Sequence, residues 1–223
     1  MSLSDELRRI FEADRAMRTA EKTLLRKRSS EELSALLERE TEQALRMDDR
    51  DEAIMRLERL ADLCAQVPGP RMTDALIAIL NDPEPRVRVA AGEALRDLGF
   101  ERYAEVARGI ERALEADARE PRGDDATLRG GLAMCELPWV LAEIAEPSAL
   151  PLIRRFLGHP DPDVAAAAIE ALAQLQDPEA VTDLKGLTND SREVTLEDFE
   201  DEEKTTIGEL ARDALAMLGL EPR

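Results

Sequence analysis

The chain has 223 residues, with 30 Lys and Arg against 49 Asp and Glu, and its formal net charge is −19. An acidic chain repels the phosphates of nucleic acids and of anionic membranes, so we expect neither as a partner. The apolar fraction of 43% suffices for a hydrophobic core and excludes a chain that is disordered throughout. No apolar run approaches the ~18 residues that span a bilayer, and the N-terminus lacks a signal-peptide pattern, which predicts a cytoplasmic protein.

Residues 4–28 predict one long amphipathic helix. Residues 1–28 carry eight basic against five acidic side chains, whereas the other 195 residues carry 22 against 44. This basic helix either docks on the acidic remainder of its own chain or pairs its apolar stripe with another chain, as in a homodimer through residues 4–28. The apolar side chains recur every three or four positions and so form a single stripe, namely Leu3, Leu7, Ile10, Phe11, Met17, Ala20, Leu24 and Leu25.

A second helix is predicted to begin after Ser29, because Ser29 and Glu32 have the spacing of a capping box. Two consecutive aspartates near residue 48 mark its end. We therefore predict an N-terminal helical cap or arm over residues 1–48. Residues 49–223 are predicted to form one continuous domain.

The most informative pattern is a segment that the chain repeats. Residues 80–98 return as residues 157–175, 77 positions later, with ten of nineteen positions identical. Both copies combine a proline-containing turn with a helix rich in alanine and leucine. A unit of this length cannot bury its own apolar face, so the repetition predicts a stacked array of helix pairs.

Two polar stretches, residues 116–128 and 188–204, are predicted as inserted loops. The second stretch holds seven acids among the eleven residues 193–203, and no segment of the chain is predicted as a strand. Gly99 and Gly219 each follow a predicted helix and are expected to terminate it. The second helices of the predicted pairs end in large aliphatic residues, at Leu60/Leu63, Leu95/Leu98, Leu141/Ile144, Leu172/Leu175 and Leu215/Leu218.

The repeated segment resembles a HEAT repeat, and more closely the short HEAT-like repeats of the phycobilin lyases. The residues that carry the resemblance are Asp82-Pro83, Val87-Arg88, Ala90-Ala91, Ala94-Leu95 and Leu98-Gly99. It covers residues 72–99 and 148–187 and continues through 203–219. The resemblance implies an all-α fold, a right-handed α-solenoid of about five HEAT-like helix pairs with two extra N-terminal helices. It also implies that the second helix of each pair lines a concave surface.

Residues that could carry catalysis are sparse. His159 is the only histidine, and it is predicted as part of an exposed turn without the neighbours of a metal site. The two cysteines, Cys64 and Cys135, are predicted as reduced, buried thiols. We therefore predict a protein that is not an enzyme and that uses no cofactor and no metal.

Two enzyme-like alternatives remain open. Trp139 and Glu143 lie one helical turn apart and resemble the tryptophan and carboxylate of HEAT-like DNA glycosylases that remove alkylated bases. The acid here is Glu rather than Asp, and the chain has no second tryptophan. A chromophore-lyase-like activity is implied only by the resemblance to phycobilin lyases, and it would need an exposed cysteine.

The main prediction is a non-catalytic scaffold or adaptor that presents a curved acidic surface to a protein partner with a basic surface. The candidate partner surface comprises Arg88, Arg96, Trp139 and Glu143. Arg88 has a second interpretation, in which it pairs with an acid of an adjacent repeat and joins two layers of the array.

Overall fold

A computed structural model describes residues 2–27, 29–119, 131–197 and 202–219. They form an all-α solenoid that also carries one short β-hairpin. The elements are α1 (Leu3–Lys27), α2 (Ser30–Leu45), α3 (Arg50–Ala65), α4 (Pro70–Leu80), α5 (Pro85–Asp117), α6 (Gly131–Ile144), α7 (Ala149–Leu157), α8 (Pro162–Leu175), α9 (Ala180–Leu187), β1 (Glu193–Glu197), β2 (Glu202–Thr206) and α10 (Ile207–Met217).

The helices lie in two layers. One layer contains α3, the first half of α5, α6, α8 and α10, which pack against one another in chain order. Four of them have the preceding helix at their side, namely α3 with α2, α5 with α4, α8 with α7 and α10 with α9. Apolar side chains from both layers form one hydrophobic core that extends from Leu33 in α2 to Leu215 in α10.

The second helix of the chain is part of this array. α2 packs against α3 and α4, and it buries Leu33 and Leu37. The predicted capping box is present, since the Glu32 N–H donates to Ser29 Oγ and the Ser29 N–H donates to the Glu32 carboxylate, both at 3.2 Å. The helix that stands ahead of the first pair is therefore α1, whose Leu24 packs partly on the core.

The two copies of the repeated segment adopt the same structure. Pro85 and Pro162 each lie in the first turn of a helix, where the missing N–H costs nothing. Small side chains at the shared positions let neighbouring helices approach closely. Buried residues at these positions include Val87, Ala91, Ala94, Leu95 and Leu98 in α5, and Val164, Ala167, Ala168, Ala171 and Leu172 in α8.

Gly99 does not end a helix, contrary to the sequence prediction. It lies within α5, which continues to one non-helical residue, Arg102 (φ −140°, ψ 48°), and then resumes. A Cβ added at Gly99 would collide with the Ile144 side chain in α6. The glycine therefore permits the close approach of two helices. Gly219 does follow α10, with a φ of +74°, the left-handed conformation typical of a helix terminator.

The second predicted insertion contains a β-hairpin rather than a loop. β1 and β2 pair antiparallel, with Glu193 opposite Thr206 and Glu197 opposite Glu202. Residues 193–197 alternate between polar and apolar side chains, which is the two-residue period of a strand. Val194 is buried, and β1 packs against α8. The sequence prediction missed the strand because the many acids of this segment favour a solvated loop.

Parts of both predicted insertions lie outside the described residues. Residues 116–119 complete α5 and the turn after it, and residues 120–130 are not described. In the acidic run, residues 198–201 are likewise outside the description. Within the described residues, none of the helices combines the length and hydropathy that crossing a membrane requires.

Replacing Gly99 by alanine is expected to lower the free energy of unfolding by about 1–3 kcal/mol, because the added methyl group overpacks the contact with Ile144. Gly186 in α9 is the matched control, since a Cβ there meets nothing within 4 Å. Gly186→Ala is expected to stabilise its helix by up to about 1 kcal/mol. Urea denaturation compares the two variants, and equal stabilities would contradict the close contact between Gly99 and Ile144.

Candidate functional site

Two buried turn residues hold together the helices that form the surface of the array. Asp82, 3% exposed, follows α4, and its carboxylate accepts hydrogen bonds from Arg50 Nη2 at 2.7 Å and from the Glu84 N–H at 2.9 Å. His159 occupies the same position in the second copy and is 6% exposed. The prediction of an exposed turn for His159 is wrong, because this turn packs against the end of α5 through Asp117.

His159 connects three segments through its ring and its carbonyl. Nδ1 accepts the Asp161 N–H at 3.1 Å, and since a backbone N–H can only donate, the ring proton resides on Nε2. Nε2 donates to Asp117 Oδ2 at 2.8 Å, and the carbonyl accepts Arg192 Nη1 at 2.6 Å. Both ring nitrogens are thus engaged in hydrogen bonds within the protein. Among the described residues, no cluster of His, Cys, Asp and Glu is arranged to hold a metal ion.

Arg88 joins two repeats. Its Nε donates to Glu136 Oε1 in α6 at 3.0 Å. Its Nη1 donates to the carbonyls of Asp82 and Pro83 at 3.2 and 2.9 Å. The side chain is only 20% exposed. This geometry corresponds to the bridging interpretation of Arg88, and it leaves little of the guanidinium for a partner.

The other three predicted contact residues lie on α5 and α6. Arg96 in α5 donates through Nη1 to the Glu143 carboxylate in α6 at 3.3 Å, and both side chains are partly exposed. Trp139 in α6 is half-buried. The structure therefore brings Arg96 and Glu143 together across 47 residues of sequence. A groove lies between α3 and α5, and none of the four predicted residues lines it.

That groove has a volume of about 820 Å³ and is bordered by the second half of α1. Small apolar side chains of α5, including Ala90 and Ala94, form part of its lining. We call it the acidic groove, because five acids and two arginines line it. These charged residues are Glu21, Arg59, Asp62, Glu93, Asp97, Glu101 and Arg102.

Three acids of α5 form a row along the acidic groove. Glu93, Asp97 and Glu101 are spaced four residues apart, so they lie on the same side of the helix. Within the described residues, Glu93 and Glu101 form no ion pair, and Asp97 approaches only Arg96, at 3.8 Å. This row was not predicted as a site, although its four-residue spacing is visible in the sequence.

The two arginines of the groove are engaged by groups other than the row of acids on α5. Arg59 pairs with Glu21 of α1 at 3.0 Å and with Asp62 at 3.1 Å. Arg102, the non-helical residue of α5, donates through Nη2 to the carbonyl of Ala65 at 2.9 Å. Neither arginine forms an ion pair with the row of acids on α5, and with five acids against two arginines the groove keeps a net negative charge.

Both cysteines are free thiols, as the sequence predicted. Cys64 is buried and Cys135 is half-buried. Burial raises the pKa of each thiol to about 12, and at Cys135 the nearby negative charges, led by that of Asp161, add to this effect. Because the thiolate is the nucleophile, neither cysteine is suited to covalent attachment of a chromophore.

Comparisons with known proteins identify the repeats. One HEAT-repeat family model matches residues 73–100, and a second, described as HEAT repeats, matches residues 136–199. The chain therefore contains HEAT repeats. No curated protein matches it. Among solved structures, the crystal structure of an engineered protein from the Northeast Structural Genomics Consortium matches at 15% identity, with 90% of this chain and 96% of that chain covered and a TM-score of 0.34.

Arg88→Ala and Arg96→Ala form a matched pair of substitutions. Arg88→Ala is expected to lower the free energy of unfolding by about 1–3 kcal/mol, because Glu136 and two turn carbonyls lose a charged donor. Arg96→Ala removes only an exposed ion pair and is expected to cost at most about 1 kcal/mol. Chemical denaturation measures both, and a larger loss for Arg96→Ala would contradict the roles assigned to the two arginines.

The reactivity of the two thiols tests the conclusion that neither cysteine attaches a chromophore. With a pKa of about 12, each thiol is far less ionised near neutral pH than an unperturbed cysteine. We expect Ellman's reagent at about pH 8 to label Cys64 and Cys135 at least ~100-fold more slowly in the native protein than in urea. Rapid labelling of either thiol in the native protein would reopen the chromophore-lyase-like alternative.

Proposed function

We propose that this HEAT-repeat protein is a non-catalytic scaffold or adaptor whose acidic groove binds a Lys- or Arg-rich segment of a protein partner. HEAT repeats commonly serve as scaffolds for protein–protein interaction. The observation that carries the proposal is the row of Glu93, Asp97 and Glu101, because these carboxylates line a groove whose two arginines form no ion pair with them.

The length of the acidic row suits a short peptide segment. Glu93 and Glu101 are separated by eight residues of helix, which corresponds to about 12 Å. An extended chain rises about 3.3 Å per residue, so about four residues of a bound segment would span the row. Side chains at alternate positions of an extended segment point to the same side. The proposed partner therefore presents basic residues at alternate positions of an extended segment.

The charge of the whole chain favours the same class of partner. Residues 29–223 carry 22 basic against 44 acidic side chains, so the surface around the groove attracts cations. Such complementarity mainly raises the association rate and selects among partners, and its effect falls as salt increases. We therefore propose binding that weakens steeply with ionic strength.

The enzyme-like alternatives receive less support from the geometry. In a glycosylase-like site Glu143 would act beside Trp139, but its carboxylate accepts a hydrogen bond from Arg96 and lies outside the acidic groove. A chromophore-lyase-like activity would need a reactive thiol, whereas burial raises the pKa of both cysteines to about 12. These contacts favour binding over catalysis, and the proposal includes no cofactor.

We place this function in the cytoplasm. The support for this location is that both cysteines are free thiols, which suits a reducing compartment.

The test is affinity capture from cell extract with two variants that change the net charge equally. Glu93→Lys with Glu101→Lys reverses two charges of the acidic groove. Glu42→Lys with Asp213→Lys reverses two exposed acids in α2 and α10, outside the groove. We expect the groove variant to lose the captured partner and the control variant to retain it, with at least a tenfold difference in affinity, or about 1.4 kcal/mol.

Calorimetry with the purified partner provides the affinity, and circular dichroism confirms that both variants fold. Equal loss in the two variants would show that only net charge matters. Retention of the partner by the groove variant would reject the acidic groove as the binding site.

A further inference from the structure

The first helix exposes an apolar stripe that no described part of the chain covers. Among the described residues, nine large hydrophobic side chains are exposed, and five of them lie in α1. Ile10 is 63% exposed and Phe11 is 56% exposed. Contiguous exposed apolar surface of this kind marks a contact with another molecule. The five α1 residues are Leu3, Leu7, Ile10, Phe11 and Met17.

Only the second half of α1 is attached to the array. Glu21 pairs with Arg59 of α3 at 3.0 Å, and Leu24 and Leu25 pack partly on the core. Residues 3–17 therefore form a helical arm of about 22 Å at 1.5 Å per residue. The alternative in which residues 1–28 dock on their own array describes the end of this helix but not its first half.

A second apolar surface adjoins the arm. A groove of about 570 Å³ between α2 and α3 is lined by Met17 of α1 and by Met55, Leu60 and Leu63 of α3. Met55 is 55% exposed. We call this the apolar groove. Because Met17 belongs both to the stripe and to the groove, the two surfaces are continuous.

We infer that a second copy of this chain covers the stripe, with the arm of each copy packed against the arm and apolar groove of the other. Each copy offers one arm and one groove, so a twofold arrangement covers both at once. The apolar groove adjoins the acidic groove, since Arg59 and Asp62 line both, but this proposal does not depend on the function proposed for the acidic groove.

The spacing of the stripe favours a second copy over other occupants. Leu3, Leu7, Ile10, Asp14 and Met17 are separated by alternating steps of four and three residues, the seam along which two identical helices pair as a coiled coil. Charge permits this pairing, because residues 3–17 carry three basic and four acidic side chains. The apolar groove is likewise mixed in charge, since it is lined by Glu40, Glu58 and Asp62 together with Arg56 and Arg59. An anionic membrane would repel the acidic array that the arm is attached to.

The sequence of the arm also sets its direction. Its stripe alternates steps of three and four residues, and Asp14 falls within this seam between Ile10 and Met17. A parallel pair of arms would place two Asp14 carboxylates opposite each other. An antiparallel pair separates them and leaves each with Arg18 of its own helix, at 3.0 Å. We therefore assign the antiparallel arrangement.

The experiment is sedimentation equilibrium of the full chain and of two matched variants. Ile10→Asp places a charge in the stripe, and Phe100→Asp places one at an equally exposed apolar residue of α5, since both side chains are 63% exposed. We expect the unmodified protein and Phe100→Asp to form dimers. Ile10→Asp is expected to weaken dimerisation at least 100-fold, or about 2.7 kcal/mol.

Further measurements test the parts of the assignment. Met55→Asp is expected to weaken the dimer as well, and unchanged affinity would remove the apolar groove from the interface. Glu93→Lys with Glu101→Lys is expected to leave the dimer intact, which separates this proposal from the function of the acidic groove. A chain that stays monomeric up to about 100 μM overturns the proposal. A monomer that binds phosphatidylserine–phosphatidylcholine vesicles through Ile10 would also overturn the proposal.

Discussion

Close approach between neighbouring helices is the constraint on which this structure depends. The helices of one layer, from α3 to α10, stack in chain order, and they can do so only where side chains are small. Gly99 shows how little space is left between α5 and α6, because even one methyl group there would collide with Ile144 of α6. Ala91 and Ala168, at the same position of the two repeats, are fully buried. This packing fixes the helices that carry the acidic row.

The sequence predicted the features that depend on local patterns. The 77-residue repetition indicated a HEAT-like array, and the Ser29 capping box was predicted from spacing alone. Features that depend on distant contacts were missed. His159 was expected in an exposed turn, but Asp117, 42 residues away, and Arg192, 33 residues away, bury it. Asp82, its counterpart in the first copy, pairs instead with a cation, Arg50, so one position is satisfied by opposite chemistry in the two repeats.

The candidate site shows the same division between local and distant information. Arg88 and Arg96 are polar positions of an amphipathic helix, which favoured them as contacts for a partner. Each arginine pairs with a glutamate of α6, and residues 48 and 47 positions away in sequence cannot be paired from periodicity alone. The acids of α5 differ from these arginines, because their four-residue spacing is visible in the sequence. Only the structure shows that the arginines beside them are engaged by other groups.

We propose self-association through α1 and recognition of a basic partner through the acidic groove, two surfaces that adjoin one another on the array. Hydrogen–deuterium exchange of the array with and without its captured partner tests recognition most directly, because it reports protection along the whole chain. Binding of the partner in the acidic groove predicts new protection in peptides covering residues 59–66 and 93–102. Protection confined to α6 around Trp139 and Glu143, with no change in the groove, would contradict it.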